Sequence, residues 1–236
     1  MTGAGIENAY AVFYVLGAFI FLLGLVFGSF LNVVIYRLPL EKSLIKPRSF
    51  CPACGAPVAF YDNIPVLSFL LLKGKCRNCS AKISPVYPLV ELLTGLSFFL
   101  SFYFFGVSWK ALQLAVLLGA SIAVTFIDLE HSIIPDEINI FLFVFAVLVP
   151  KEIWNNSYWV SAGFSALSGL TAGVVLFLIA ILAEKIFKQE AMGMGDVKLI
   201  TALGAFSGFQ SIFWLIFISS LVGSVFGIAV KLRRKE

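Results

Sequence analysis

Long apolar stretches alternate with short polar joints along this chain, and the lengths of the apolar stretches predict its architecture. Seven of them stand out, roughly Ala11–Ile35, Tyr87–Phe105, Ala111–Ile127, Ile138–Val149, Gly163–Ala183, Val197–Phe209 and Ile212–Val230. Most approach the roughly 20 residues that an α-helix needs to cross about 30 Å of hydrocarbon. The fourth and sixth are shorter and are expected to begin inside a protein-lined, wet cavity. The pattern predicts an all-α polytopic membrane protein of about seven transmembrane helices, with a polar loop domain between the first and second. The expected division is 1–35 for the first helix, 36–86 for the loop and 87–236 for a helical membrane domain. The first run is too long for a signal-peptide core and lacks a basic flank, so it reads as a retained helix.

Composition agrees, with 60% hydrophobic and 13% charged residues and a mean hydropathy of +0.99. These values exclude an ordinary soluble domain. The charges are unevenly placed. The loop holds Arg37, Lys42, Lys46, Arg48, Lys73, Lys75, Arg77 and Lys82 against Glu41 and Asp62, the C-terminus is basic, and the first ten residues carry no Lys or Arg. Basic joints face the cytoplasm, which puts the N-terminus outside and the C-terminus inside, as seven crossings require. The net charge of +4 is this orientation signal and gives no reason to invoke nucleic acid.

Two acids then carry the chemistry, Asp128 in TFIDLEHSIIPDE and Asp196 in GMGDVKL. Each sits where an apolar stretch meets a polar joint, and the predicted topology brings both joints to the cytoplasmic side. Carboxylates are costly at the edge of hydrocarbon and mark function there. Two acids that meet can share a proton and activate water against a peptide bond. Plain structural uses compete: Asp128 as the end of a span, and Asp196 as an N-cap before VKLIT. A transporter's cation site would also use both acids, but the spans show no duplicated halves.

All four cysteines lie in the loop, as Cys51-Pro-Ala-Cys54 and Cys76-Arg-Asn-Cys79, with 21 residues between the pairs. Four thiolates so spaced can close a tetrahedral zinc site, which has no open position for chemistry. Gly55 suits the tight turn after the first pair, and the residues after Cys79 suit it less well. Two disulfides, which a reducing cytoplasm disfavours, and a redox CxxC pair are the competing uses. A zinc loop that only docks a partner would leave the aspartates idle.

GSFLNVVIYRLP, RSFCPACG, YDNIPVLSFLLLKGKCRNC, ISPVYPLVELLTG, IDLEHSIIPDEIN and GMGDVKL, in that order from about Gly28 to Leu199, resemble the bifunctional type IV prepilin peptidases. The resemblance implies an aspartic endopeptidase and N-methyltransferase of the bacterial inner membrane. It would cut the basic leader from prepilins or pseudopilins after a glycine at the cytoplasmic face. It would then methylate the new N-terminus, usually phenylalanine, with S-adenosylmethionine. Asp128 and Asp196 would be the catalytic pair, with Gly193 and Gly195 supporting the second. Cys51, Cys54, Cys76 and Cys79 would hold structural zinc, and the loop would be linked to methyl transfer. The substrate partners would carry an apolar helix behind the leader and lie against these spans in the bilayer.

The chain has no GxGxxG to mark the methyl-donor site. Asp62, Asn63, Glu91 and Gly95 are the candidates around it. Glu91 lies inside an apolar span, where it either pairs with Arg37 or another loop cation or holds the donor's amino group. Gly95 serves either helix packing or close approach of the donor. Glu130, Asp136 and Glu137 make an acidic edge that either attracts the leader or is simply a solvated loop and helix start. Trp154, Tyr158 and Trp159 suggest an interfacial aromatic belt, and Gly169 and Gly173 suggest close helix contact.

Overall fold

The computed structural model describes residues 3–149, 158–188 and 192–234; Trp154 lies outside them. Eight α-helices follow in order: α1 (Gly3–Arg37), α2 (Leu67–Leu71), α3 (Val86–Phe105), α4 (Trp109–His131), α5 (Asp136–Leu148), α6 (Tyr158–Phe187), α7 (Met194–Ser207) and α8 (Phe209–Arg234). Apart from the five-residue α2, they match the seven predicted stretches one for one. Two isolated bridges, Phe50 with Pro57 and Lys75 with Lys82, are the nearest approach to sheet among the described residues. The chain is all-α because no water is available in hydrocarbon to pair an exposed backbone group.

Four helical segments, Tyr10–Leu40, Val86–Phe105, Trp109–His131 and Tyr158–Phe187, are long and apolar enough to cross a membrane. The protein is an integral membrane protein. With 13 and 14 residues, α5 and α7 reach only about 20 Å at 1.5 Å per residue. α8 carries a shorter apolar stretch, Ser211–Val225. The boundaries move in understandable ways. Gly208, at φ 79, ends α7 two residues before Phe209 would have extended it, and Phe209 opens α8 instead. Gly106 ends α3 at φ 59, and the Ser108 hydroxyl caps α4 by accepting from the Ala111 N–H.

The chain forms two compact units, Met1–Ile138 and Asn139–Glu236. In the first, α1 and α3 form the most extensive helix pair and α4 packs on both. Apolar burial gives little drive for association in lipid, so close packing must supply it. Glycines make that closeness possible here. A Cβ on Gly24 would lie 2.8 Å from the Gly95 Cα, and one on Gly28 would lie 2.6 Å from the Glu91 Cα. Phe13 stacks on Phe102 and Phe27 on Phe98 along the same seam.

In the second unit α6 and α7 pack by the same device. A Cβ on Gly204 would lie 2.6 Å from the Ala172 Cβ, one on Gly169 would lie 2.6 Å from the Thr201 carbonyl oxygen, and one on Gly173 would run into the Thr201 hydroxyl. Gly163, by contrast, has open space where a Cβ would go.

Replacing Gly24 by Val is expected to lower stability in detergent by about 1–3 kcal/mol or more, the range for overpacking. Gly163→Ala is expected to be neutral or to gain up to about 1 kcal/mol from helix propensity. Thermal unfolding of the two variants beside the parent checks both.

Candidate active site and metal centre

The four cysteine sulfurs all lie within 4.8 Å of one another, with 3.8 Å between the Cys51 and Cys79 Sγ atoms. Tetrahedral coordination with metal–sulfur bonds of about 2.3 Å places sulfurs about 3.8 Å apart, so the donor set fits a metal ion. All four thiols are free, which removes the disulfide reading. Each pair sits on the same knuckle. The N–H of Cys51 donates to the Ala56 carbonyl and that of Gly55 to the Cys51 carbonyl; Cys76 with Ala81 and Ser80 with Cys76 repeat the pattern. The turn residue is left-handed in both, Gly55 at φ 72 and Ser80 at φ 58. Backbone N–H groups of Cys79 and Asn78 point at the Cys76 sulfur and bring its pKa down to about 7. At Cys79 the Ala81 N–H acts in the same direction, but burial and the neighbouring sulfurs outweigh it and push the thiol up to about 11. One thiolate therefore forms readily, and a cation is needed to hold all four as thiolates.

Beside the knuckles is a cavity of about 530 Å³ between the C-terminal end of α1, the start of α3 and the loop. Its size suits a drug-sized or nucleoside-sized ligand. Asp62, Asn63 and Glu91 all line it, and Gly95 does not. A Cβ on Gly95 would lie 2.7 Å from Leu25 Cδ2 and 3.0 Å from Phe21, so this glycine serves helix packing.

Glu91 is only 8% exposed, and Arg37 is not its partner. The Arg37 guanidinium donates to the Ser43 and Pro47 carbonyls, pinning the loop to α1. Glu91 instead accepts the Val66 N–H at 2.7 Å and the Ser29 hydroxyl. Val66 has φ 60, a conformation costly for a β-branched residue, and the carboxylate helps to hold it there. Sequence distance hid this pairing, because a strained amide 25 residues away leaves no local signal. Ser29 and Asn32, also on the cavity wall, were missed too. Two polar residues three apart in an otherwise apolar helix were the available signal.

Asp62 accepts both the Nε and the second guanidinium nitrogen of Arg77, at 2.8 and 2.6 Å. That guanidinium holds the Asp62 carboxyl below its ordinary value, against the opposing effect of burial. Arg77 lies within the second knuckle and also over the Tyr61 ring, so this pair ties the metal centre to the cavity wall.

The two aspartates lie inside helix ends rather than in loops. Asp128 is exposed in the last turn of α4, which Ser132 closes at φ 55 by donating its N–H to the Asp128 carbonyl. A carboxylate gains nothing from a helix C-terminus, whose dipole opposes negative charge. Asp196 is exposed in the first turn of α7, where the dipole favours it. Gly193, not Asp196, occupies the N-cap position, and a side chain on Gly193 would approach the Asp196 Oδ2 to 3.4 Å. Gly195 is half-buried in the same turn.

An all-helical integral membrane protein with a two-knuckle metal centre and acids at helix ends is the class defined by these features. Residues 22–105 match the family described as Bacterial Peptidase A24 N-terminal domain, and residues 115–228 match the Type IV leader peptidase family. The chain is 40% identical over 215 residues to a prepilin leader peptidase/N-methyltransferase of Myxococcus xanthus, covering 91% of this chain and 63% of that one. It is 37% identical to the protein of that name from Neisseria gonorrhoeae, covering 90% and 81%, and 36% identical to the one from Pseudomonas aeruginosa, covering 91% and 81%. No solved structure matches it significantly. The chain belongs to the type IV leader peptidase family, whose members are aspartic peptidases.

Two predictions test the loop. Gly55→Ala is expected to weaken metal retention against a chelator, since the left-handed turn costs an alanine about 1–2 kcal/mol. Ser80→Gly is expected to strengthen it by up to about 1 kcal/mol. Metal content after chelator titration reads both.

Asp62→Asn is expected to lower the thermal midpoint slightly and equally at pH 6 and pH 8. The sign follows from linkage: a depressed carboxylate pKa contributes stability above the unfolded value of about 3.9 and loses it only as pH falls through the folded one. A difference that closed between pH 8 and pH 6 would contradict the assignment.

Proposed function

We propose that this chain cleaves the leader peptide from type IV prepilins or pseudopilins at the cytoplasmic membrane face and then N-methylates the new N-terminus. The observation that carries the reading is its similarity to proteins named for both activities, which runs through the cysteine loop and both aspartate motifs. The division of labour follows: a first helix over 1–35, a zinc-binding loop over 36–86 linked to methyl transfer, and a membrane domain over 87–236 carrying the peptidase site. The chain would lie in the bacterial inner membrane with seven crossings, its N-terminus outside and its C-terminus in the cytoplasm.

Asp128 and Asp196 are the peptidase pair in this reading. One carboxylate, ionised, takes a proton from water; the other, protonated, polarises the scissile carbonyl. The water oxygen adds to the carbonyl carbon, and the amine leaves carrying a proton returned by the pair. Their exposure in helix terminal turns suits a site that must admit both a peptide and water. Gly193 keeps the approach to Asp196 free of a side chain, and Gly195 supports that turn. The acidic edge of Glu130, Asp136 and Glu137 suits a basic leader.

The four cysteines would hold one zinc ion, whose role is to fold the loop. The neighbouring cavity is the place for S-adenosylmethionine, which supplies an electrophilic methyl group on a positively charged sulfur. Glu91 offers the carboxylate for a cationic donor, and Tyr36, Tyr61 and Tyr87 on the walls offer ring faces for it. Asp62 and Asn63 complete the polar wall. The amine freed by cleavage must be deprotonated so that its lone pair can take the methyl carbon.

Intact mass spectrometry of a synthetic prepilin incubated with the purified protein and S-adenosylmethionine tests the reading. Loss of the leader and gain of one methyl group is the expected result. Asp128→Asn and Asp196→Asn are each expected to reduce cleavage by at least about 10²-fold, with methylation of a pre-cleaved substrate retained. Glu91→Gln should do the opposite. An unchanged mass with folded, zinc-loaded protein would favour a transporter or docking role.

A further inference from the structure

Asn139 is 3% exposed, and neither its Nδ2 nor its Oδ1 has a hydrogen-bond partner among the described residues. Buried amides are almost always paired, and one that is not calls for an explanation. An unpaired donor and acceptor held together in an apolar setting offer a matched site for a peptide group that also lacks water.

The second unit sets the depth of this amide. Asn139 lies on the buried stripe of α5 with Leu142 and Ala146, one turn before Phe143. Phe143 meets α6 at Gly169, which also abuts Thr201 and Ala205 of α7. Phe145 stacks on Phe206, so α5 and α7 run in the same direction through this layer. Counting back along both helices at about 1.5 Å per residue puts Asn139 within roughly one and a half turns of Asp196, on the interior side.

We propose that Asn139 is a substrate-binding residue of the peptidase site, its side-chain amide pairing with backbone N–H and C=O groups of the segment that follows the scissile bond. The inference rests on the peptidase reading above. In a prepilin that segment begins an apolar helix, and the first four N–H groups of any helix have no intrahelical partner. Drawn to the edge of hydrocarbon and extended for cleavage, the same groups lose water as well. An amide one turn inside the catalytic acid is placed to take them. It would recognise backbone, and so would not depend on which apolar side chains follow the cut.

Asn139→Leu, close in shape and without polar atoms, separates the possibilities. The expected result is an equal or higher thermal midpoint in detergent, because an unpaired buried amide has been removed, together with at least a fivefold fall in kcat/KM for prepilin cleavage. Methylation of a pre-cleaved substrate should stay unchanged. An equal or higher midpoint with cleavage reduced by less than fivefold overturns the proposal. So does a lower midpoint in a variant that still folds, since that shows the amide already has a structural partner. If leucine prevents folding, Asn139→Ala is read by cleavage normalised to methyl transfer, with the same fivefold boundary. Failure of the unaltered protein to cut any prepilin would instead count against the peptidase reading, and the change in midpoint would still bear on Asn139.

Discussion

Hydrocarbon offers no partner for a backbone N–H or C=O, and every other feature of this protein is arranged around that constraint. It makes the chain all-helical, and it removes most of the apolar drive that would otherwise bring helices together. Contact has to come from close approach. The seams of α1 with α3 and of α6 with α7 are accordingly built on glycines whose Cβ positions are already occupied by a neighbour. Polar chemistry is then confined to helix ends and to the loop that leaves the membrane.

The loop solves a different problem. Fifty residues between α1 and α3 with only short helical turns cannot bury enough apolar surface to order themselves. Two matching knuckles bring four sulfurs together, so one cation can fix both ends of the segment. Arg37 ties it to α1, Glu91 ties it to α3 through Val66, and Asp62 ties its middle to the second knuckle. The cavity exists because these ties hold the loop over the helix ends without filling the space between.

The aspartates show how helix position changes the meaning of a residue. A carboxylate in the first turn of α7 is electrostatically favoured, whereas one in the last turn of α4 is not. Only the second is hard to explain as local stabilisation, and Asp128 is the stronger pointer to function for that reason. The unpaired amide of Asn139 belongs with it: both are placements that cost stability and that the fold nonetheless keeps.

Much of this was legible in the chain itself. The seven stretches, the all-α class, the metal-type cysteine spacing and the two aspartate motifs are local patterns, set by residues near one another in sequence. Helix ends were less legible, because Gly208 stops α7 through a backbone angle that composition does not reveal. Partners across sequence were not legible at all. Glu91 was assigned to a cation and is held by the amide of Val66 and the Ser29 hydroxyl; Gly95 was open between donor and packing, and Leu25 and Phe21 decide for packing. Periodicity and spacing determine which segments become helices and which thiols can share an ion, since those depend on short-range geometry and solvent. Which buried polar atoms find partners depends on the docking of segments tens of residues apart, and only the tertiary structure decides that.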